Sequence, residues 1–197
     1  MRHIQFTILI LLSFGAALHA QVQAVTKEKA SPAPLEVTLA YNAVRSNGST
    51  GASFWLQGGK GEFSAALGRG VSLVGELAAQ HVSNINSANE ALGLISYLFG
   101  PRYSYRKYRY LTPFGQVLIG GVHGFDAYFP NPNGSTVTPD AFALAVGGGL
   151  NIGISHRLAI RPVQADYFRT QFPNNEANHE NSLRLGAGVV ILIGSAK

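Results

Sequence analysis

Cysteine is absent from the 197 residues, which removes disulfides, thiolate catalysis and zinc–thiolate sites together. Charge is scarce, at 13% of residues, about half the usual share. The 15 basic residues outnumber the 10 acidic ones, yet they are dispersed, and no Lys/Arg-rich run or RNA-binding signature accompanies them, so a nucleic-acid partner is not expected. Six histidines are present, but none forms the short His-x-His or His-x₃-His cluster that a metal site needs, and no cofactor motif appears. Gly58-Gly-Lys-Gly61 lacks the strand-loop-helix context and the Lys-Ser/Thr step of a phosphate loop, and reads instead as lumen space or a barrel kink. Beyond the N-terminus no run of about 18 uninterrupted apolar residues occurs, so no transmembrane helix accounts for the hydrophobic composition.

What the chain does have is glycine, 23 residues of it, and long stretches that alternate in polarity. The segment Ile95 to Arg106, ISYLFGPRYSYR, shows the pattern. A helix would scatter its aromatics and arginines around the circumference, whereas a strand sorts them by parity. Ile95, Tyr97, Phe99, Pro101, Tyr103 and Tyr105 fall on one face, and Ser96, Leu98, Gly100, Arg102, Ser104 and Arg106 on the other. In a soluble sandwich the greasy face would turn inward; in a membrane barrel it would turn outward to lipid.

The N-terminus supplies an address. Met1-Arg-His is basic, Ile4 to Leu12 is almost wholly apolar, and Leu18-His-Ala20 ends in a small residue, the order of a secretory signal peptide. A membrane-anchoring helix is the alternative, but the apolar core is short for one. Cleavage is expected after Ala20, with Ala24 as second choice, and residues 21–34 read as a flexible lead-in ahead of a barrel over 35–195.

From Leu35 the chain divides into eight alternating segments, near 35–47, 52–67, 71–84, 91–106, 110–126, 141–155, 158–172 and 181–194. They are longer than the ordinary strand of about five or six residues. Their connections alternate between long polar ones (46–51, 83–90, 127–140 and 173–180) and short ones (68–70, 107–109 and 156–157). An even strand count with alternating loop lengths is the pattern of an outer-membrane barrel, whose long loops face outside and whose tight turns face the periplasm. Tyrosines at 103, 105, 108 and 110 gather at one short turn, and Phe125, Tyr128, Phe129, Phe142, Tyr167, Phe168 and Phe172 gather near the long loops, as interfacial belts do. The fold expected is therefore all-β, an eight-stranded antiparallel up-and-down transmembrane barrel.

Eight strands enclose a lumen that side chains nearly fill, so charged residues on the inward parity must pair there. Arg102 is expected to pair with Glu76, with Glu62 close by, and Arg184 with Asp166. Arg161 and Asp166 cannot share a face in a regular strand, which predicts a bulge near Pro162. Gln80, Gln116 and Asn151 are expected in the same lumen.

The paired hairpins, with Leu98-Phe-Gly-Pro-Arg-Tyr-Ser-Tyr-Arg106, Thr112-Pro-Phe-Gly-Gln-Val-Leu118 and Ile160-Arg-Pro-Val-Gln-Ala-Asp-Tyr167, resemble the small outer-membrane β-barrel proteins of Gram-negative, especially acidobacterial, genomes, related in plan to OmpA- and OmpX-type barrels. The resemblance implies location in the outer membrane, contact with its lipid and lipopolysaccharide, a monomer, and a structural or surface-interaction role. An extracellular ligand would meet loops 83–90, 127–140 and 173–180. The sequence departs from full-length OmpA-type proteins: Ile193 to Lys197 offers no peptidoglycan-binding domain and no C-terminal aromatic. Some eight-stranded barrels are lipid A deacylases, and His123 with Asp126, and His179 with Glu180 and Ser182, are the residues that could supply a Ser–His–acid set. The deacylase-like His-x-Ser-Asn pattern is missing, and no catalysis is expected. A lipid-modifying hydrolase and a narrow pore stand as the alternatives.

Overall fold

In the computed structural model, residues 35–47, 53–83, 91–125, 129–131, 134–136, 139–172 and 179–194 are described. The expected signal peptide and lead-in, most of loops 46–51, 83–90 and 173–180, part of loop 127–140, and Glu90, Asp126 and Glu176 lie outside them.

Among the described residues ten strands form: β1 (Leu35–Asn47), β2 (Ser53–Gly68), β3 (Val71–Val82), β4 (Leu92–Ser104), β5 (Leu111–Phe125), β6 (Phe129–Asn131), β7 (Gly134–Thr136), β8 (Asp140–Gly153), β9 (Leu158–Thr170) and β10 (Glu180–Ile193). Eight of them close a barrel in the order β1-β10-β9-β8-β5-β4-β3-β2, and β6 and β7 pair as a separate two-stranded sheet. Every barrel pairing is antiparallel, including the closing pair of β1 with β10. The sequence did not announce β6 and β7, because three-residue strands are too short to carry a polarity period.

Alternation decides which way each strand faces. In β3, Leu77 is 65% exposed while Glu76 beside it is 2% exposed. In β4, Ile95, Tyr97, Phe99 and Tyr103 all point outward, and Ser96, Leu98, Gly100 and Arg102 point in. The polarity is thus inverted relative to a water-soluble protein, with large apolar side chains outside and ions inside.

Local chemistry sets the irregular points. The connection from β2 to β3 turns through Gly68, Arg69 and Gly70, all at positive φ (111°, 50° and 85°), a backbone that glycine adopts without penalty. In β9, three residues from Ile160 to Val163 span the same distance as two on β8, and Arg161 to Gln164 spans two on β10. The extra residue leaves Pro162 and Val163 both outward, and so Arg161 and Asp166 both face the lumen. Proline, lacking an N–H, suits the break in the ladder.

Two outward glycines are covered by neighbouring rings. A Cβ on Gly121 would lie 2.5 Å from the Tyr97 ring, and one on Gly93 would lie 2.1 Å from the Phe125 ring. Each ring thereby shields backbone that glycine leaves bare.

Candidate functional site: the charged lumen

The lumen has two layers. Toward the long connections, Val44, Leu56, Leu94, Leu98, Leu118, Val122 and Phe168 form one apolar cluster, all buried. Toward the short turns Thr38, Ser64, Ser72, Ser104 and Asn151 are buried beside Val74, Ala159 and Val190. Glu36 accepts from Arg106 Nη2 at 2.6 Å at that end.

Seven ionisable side chains meet between the layers: Lys60 and Glu62 from β2, Glu76 from β3, Arg102 from β4, Arg161 and Asp166 from β9, and Arg184 from β10. Lys60, the most exposed of them, is 5% exposed. Glu62 stands at the centre. Its Oε2 accepts from Arg102 Nη2 and from Arg161 Nη1, each at 2.6 Å, while Lys60 Nζ lies 2.9 Å from Oε1. Lys60 also donates to Glu76 Oε2 at 3.3 Å. Arg184 donates to both oxygens of Glu76 and, from Nη2, to Asp166 Oδ2 at 2.9 Å.

Neutral groups complete the network. Gln116 Oε1 accepts from Arg102 Nε at 2.9 Å and from Nη2 as well. Arg161 donates to Asn151 Oδ1 at 2.9 Å, to Gln164 Oε1 at 2.8 Å and to Thr38 Oγ1 at 3.3 Å. The Phe114 ring lies 4.5 Å from the guanidinium carbons of both Arg102 and Arg161, close enough for cation–π attraction. Arg184 lies 5.2 Å from the Phe168 ring. Inward glycines make room for these long side chains. A Cβ on Gly149 would come within 2.9 Å of the Phe114 ring, and one on Gly147 within 2.5 Å of Asp166 Oδ1.

The expected Arg102–Glu76 pair gives way to a different pairing. Arg102 engages Glu62, while Glu76 is taken by Arg184 and Lys60. Counting residues up from the turns treats neighbouring strands as level, but Arg102 sits in register with Ser72 and Glu76 with Leu98. The arginines also cross the lumen. Arg161 reaches Glu62 past β10 and β1, and Arg184 reaches Glu76 past β1 and β2. Lys60 was not singled out by sequence, although its two-residue spacing from Glu62 put it on the inward parity; the flanking glycines drew attention instead. Gly58 does mark a close approach, since a Cβ there would lie 1.8 Å from the Ala79 carbonyl oxygen.

The residues weighed as a hydrolytic set are elsewhere. His123 Nδ1 lies 2.8 Å from Asp140 Oδ1 at an exposed rim, and Ser182 faces the lumen. Among the described residues no cluster of three His, Cys, Asp or Glu side chains is placed to hold a metal.

No family model and no curated relative matches the sequence. Solved structures do match. Neisserial surface protein A aligns with a TM-score of 0.61 at 12% identity, over 81% of this chain and 97% of that one. Ail, the attachment invasion locus protein of Yersinia pestis, aligns at 0.53 and 16%, over 79% and 97%. The outer membrane protein OprG of Pseudomonas aeruginosa aligns at 0.52 and 10%, over 83% and 97%. The fold is that of a small eight-stranded outer-membrane barrel.

Proposed function

We propose that the protein resides in the bacterial outer membrane as a monomeric barrel and acts at the cell surface through its long connections, without catalysis. One observation carries this reading: the outward face is apolar along strand after strand while eight ionisable side chains, Glu36 and the seven of the central network, are buried within. In water that arrangement would expose large apolar area at about 25 cal/mol per Å². In a bilayer the same face meets hydrocarbon, and a closed barrel leaves no unpaired strand edge.

Charge at the two ends supports an orientation with the short turns in the periplasm. Arg69, Lys107, Arg109 and Arg157 are exposed at those turns, suited to the headgroups of an inner phospholipid leaflet. The long connections then stand outside among lipopolysaccharide. The overall plan fits OmpA- and OmpX-type barrels of the acidobacterial sort, exported by the signal peptide over 1–20. A surface-interaction role gains support from Ail, whose name declares attachment and of which one structure holds the heparin analogue sucrose octasulfate.

The test is fractionation of the producing cells, with gel mobility before and after boiling and mass spectrometry of lipid A from a deletion strain. The reading expects the protein in the outer membrane, faster migration when unboiled, and unchanged lipid A acylation. Inner-membrane or soluble recovery would refute the location, and altered acylation would make the protein a lipid-modifying hydrolase.

A further inference from the structure

The short turns form one continuous rim. Ser104 N donates to the Gly70 carbonyl at 2.7 Å, which joins the β2–β3 turn to the end of β4, and Gly153 N donates to the Tyr110 carbonyl at 2.8 Å, which joins the β4–β5 connection to the end of β8. Leu192 N donates to the Arg157 carbonyl at 2.9 Å, so the β8–β9 turn meets the end of β10. Four cations are exposed along this rim: Arg69, Lys107, Arg109 and Arg157. Arg106 is instead tied to Glu36. That carboxylate is 4% exposed, and the other acidic side chains among the described residues lie in the central network or, as Asp140 and Glu180, at the opposite end. Among the described residues the rim therefore presents four positive charges and no exposed carboxylate.

The cations stand at a boundary. Arg69 lies between the exposed Leu67 and Val71, and Arg157 between the exposed Ile154 and Leu158. Lys107 and Arg109 are interleaved with Tyr105, Tyr108 and Tyr110, all exposed. The Arg109 guanidinium carbon is 5.3 Å from the Tyr110 ring, which holds its charge against a side chain suited to headgroup depth. A patch for a soluble acidic partner needs no such edge. Cations fixed where the lipid-facing band ends meet lipid phosphates instead.

We propose that this rim selects anionic phospholipid, of the phosphatidylglycerol class, over phosphatidylethanolamine. The inference rests on the outer-membrane location proposed above and goes further in naming a lipid. Both headgroups carry a phosphate that Arg and Lys grip with charge-assisted hydrogen bonds. They differ in the group beyond it. The ammonium of phosphatidylethanolamine would enter a rim of four cations that offers no exposed carboxylate to receive it, whereas the second glycerol of phosphatidylglycerol is neutral and leaves the phosphate charge uncancelled. Each basic residue near an anionic lipid surface strengthens association by about fivefold, so the discrimination is large enough to measure.

The experiment uses the purified full barrel in phosphatidylcholine vesicles containing a trace of spin-labelled phosphatidylglycerol or phosphatidylethanolamine, and reads the motionally restricted fraction of each label. Phosphatidylglycerol should be preferred by at least about fivefold, and the preference should shrink as sodium chloride is added. Lys107→Gln/Arg109→Gln should lose most of it, whereas Arg45→Gln/Arg169→Gln, which removes two exposed cations nearer the long connections, should keep it. Should the first pair fail to fold, Arg69→Gln/Arg157→Gln decides, with the same loss expected. Equal restriction of the two labels by the unmodified barrel, a preference that survives loss of the rim cations, or one that follows Arg45 and Arg169 would each overturn the proposal. So would displacement of labelled phosphatidylglycerol by inorganic phosphate at constant ionic strength, which would make the rim a site for the free ion. None of these outcomes bears on the location of the protein, which cell fractionation decides separately.

Discussion

Arg161 on β9 donates from Nη1 to Glu62 Oε2 on β2 at 2.6 Å, across 99 residues of sequence and past the two intervening strands. The pair is fully enclosed, so neither charge has water to fall back on. Removing one partner of a buried pair strands the other at about 3–5 kcal/mol, whereas removing both is often close to neutral. Glu62→Gln is therefore expected to destabilise the barrel by that order, and the Glu62→Gln/Arg161→Met double variant by less than the sum of its singles. Urea unfolding in lipid vesicles measures the coupling; strictly additive effects would contradict the cross-lumen pair.

A second cycle separates the observed pairing from the one that strand counting suggests. Glu76 is gripped at both oxygens by Arg184, while Arg102 engages Glu62 and Gln116. Coupling between Glu76→Gln and Arg184→Met should exceed that between Glu76→Gln and Arg102→Met, and contacting pairs in such networks couple by about 0.5–3 kcal/mol. The reverse ranking would restore the Arg102–Glu76 pair.

Two glycines should respond differently to a methyl group. At Gly121 the added Cβ meets the Tyr97 ring, and at Gly147 it meets the Ala165 carbonyl oxygen at 2.2 Å. A ring swings aside at little expense; a strand backbone does not. Gly147→Ala should therefore cost the larger part of the roughly 1–3 kcal/mol usual for overpacking, with Gly121→Ala well below it. Equal unfolding midpoints for the two variants would argue against this packing.

The apolar layer of Leu56, Leu94, Leu98, Leu118, Val122 and Phe168 should block water and ions. Purified protein in planar bilayers is expected to give no stable large conductance, and sustained open-channel currents from the monomer would disprove the seal.

Orientation is open to a labelling test. Single cysteines introduced at Asn133 and Asn174, in the long connections, should react with an impermeant maleimide on intact cells, and one at Lys107 should react only after the envelope is permeabilised. Labelling in the opposite sense would invert the proposed topology.

Face by face, the barrel is legible in the chain because strand parity is a strict period of two. Arg102 shares its parity with Ser96 and Leu98 and opposes Tyr97 and Phe99, and this alone turns it inward. The bulge in β9 is legible for the same reason, since five residues separate Arg161 from Asp166 and only an extra residue reconciles two charges with one lumen. Partner choice is not legible. Which carboxylate an arginine finds depends on strand tilt and on how far a long side chain spans a narrow interior, and neither quantity is local. Lys60 is hard to read from sequence because it sits between Gly59 and Gly61, whose structural meaning masks the charge.

The cross-lumen contacts have a consequence for the order in which the barrel is made. Strands β2 and β3 carry Glu62 and Glu76, and the arginines from β9 and β10 that neutralise them come last in the chain. A half-sheet of β2 to β4 brings Lys60 and Arg102 to these carboxylates, but their contacts with Arg161 and Arg184 stay unmade until β9 and β10 arrive. Only the final meeting of β10 with β1 delivers both arginines at once. The ion network thus acts as a latch on ring closure, completed only when the last two strands meet the first.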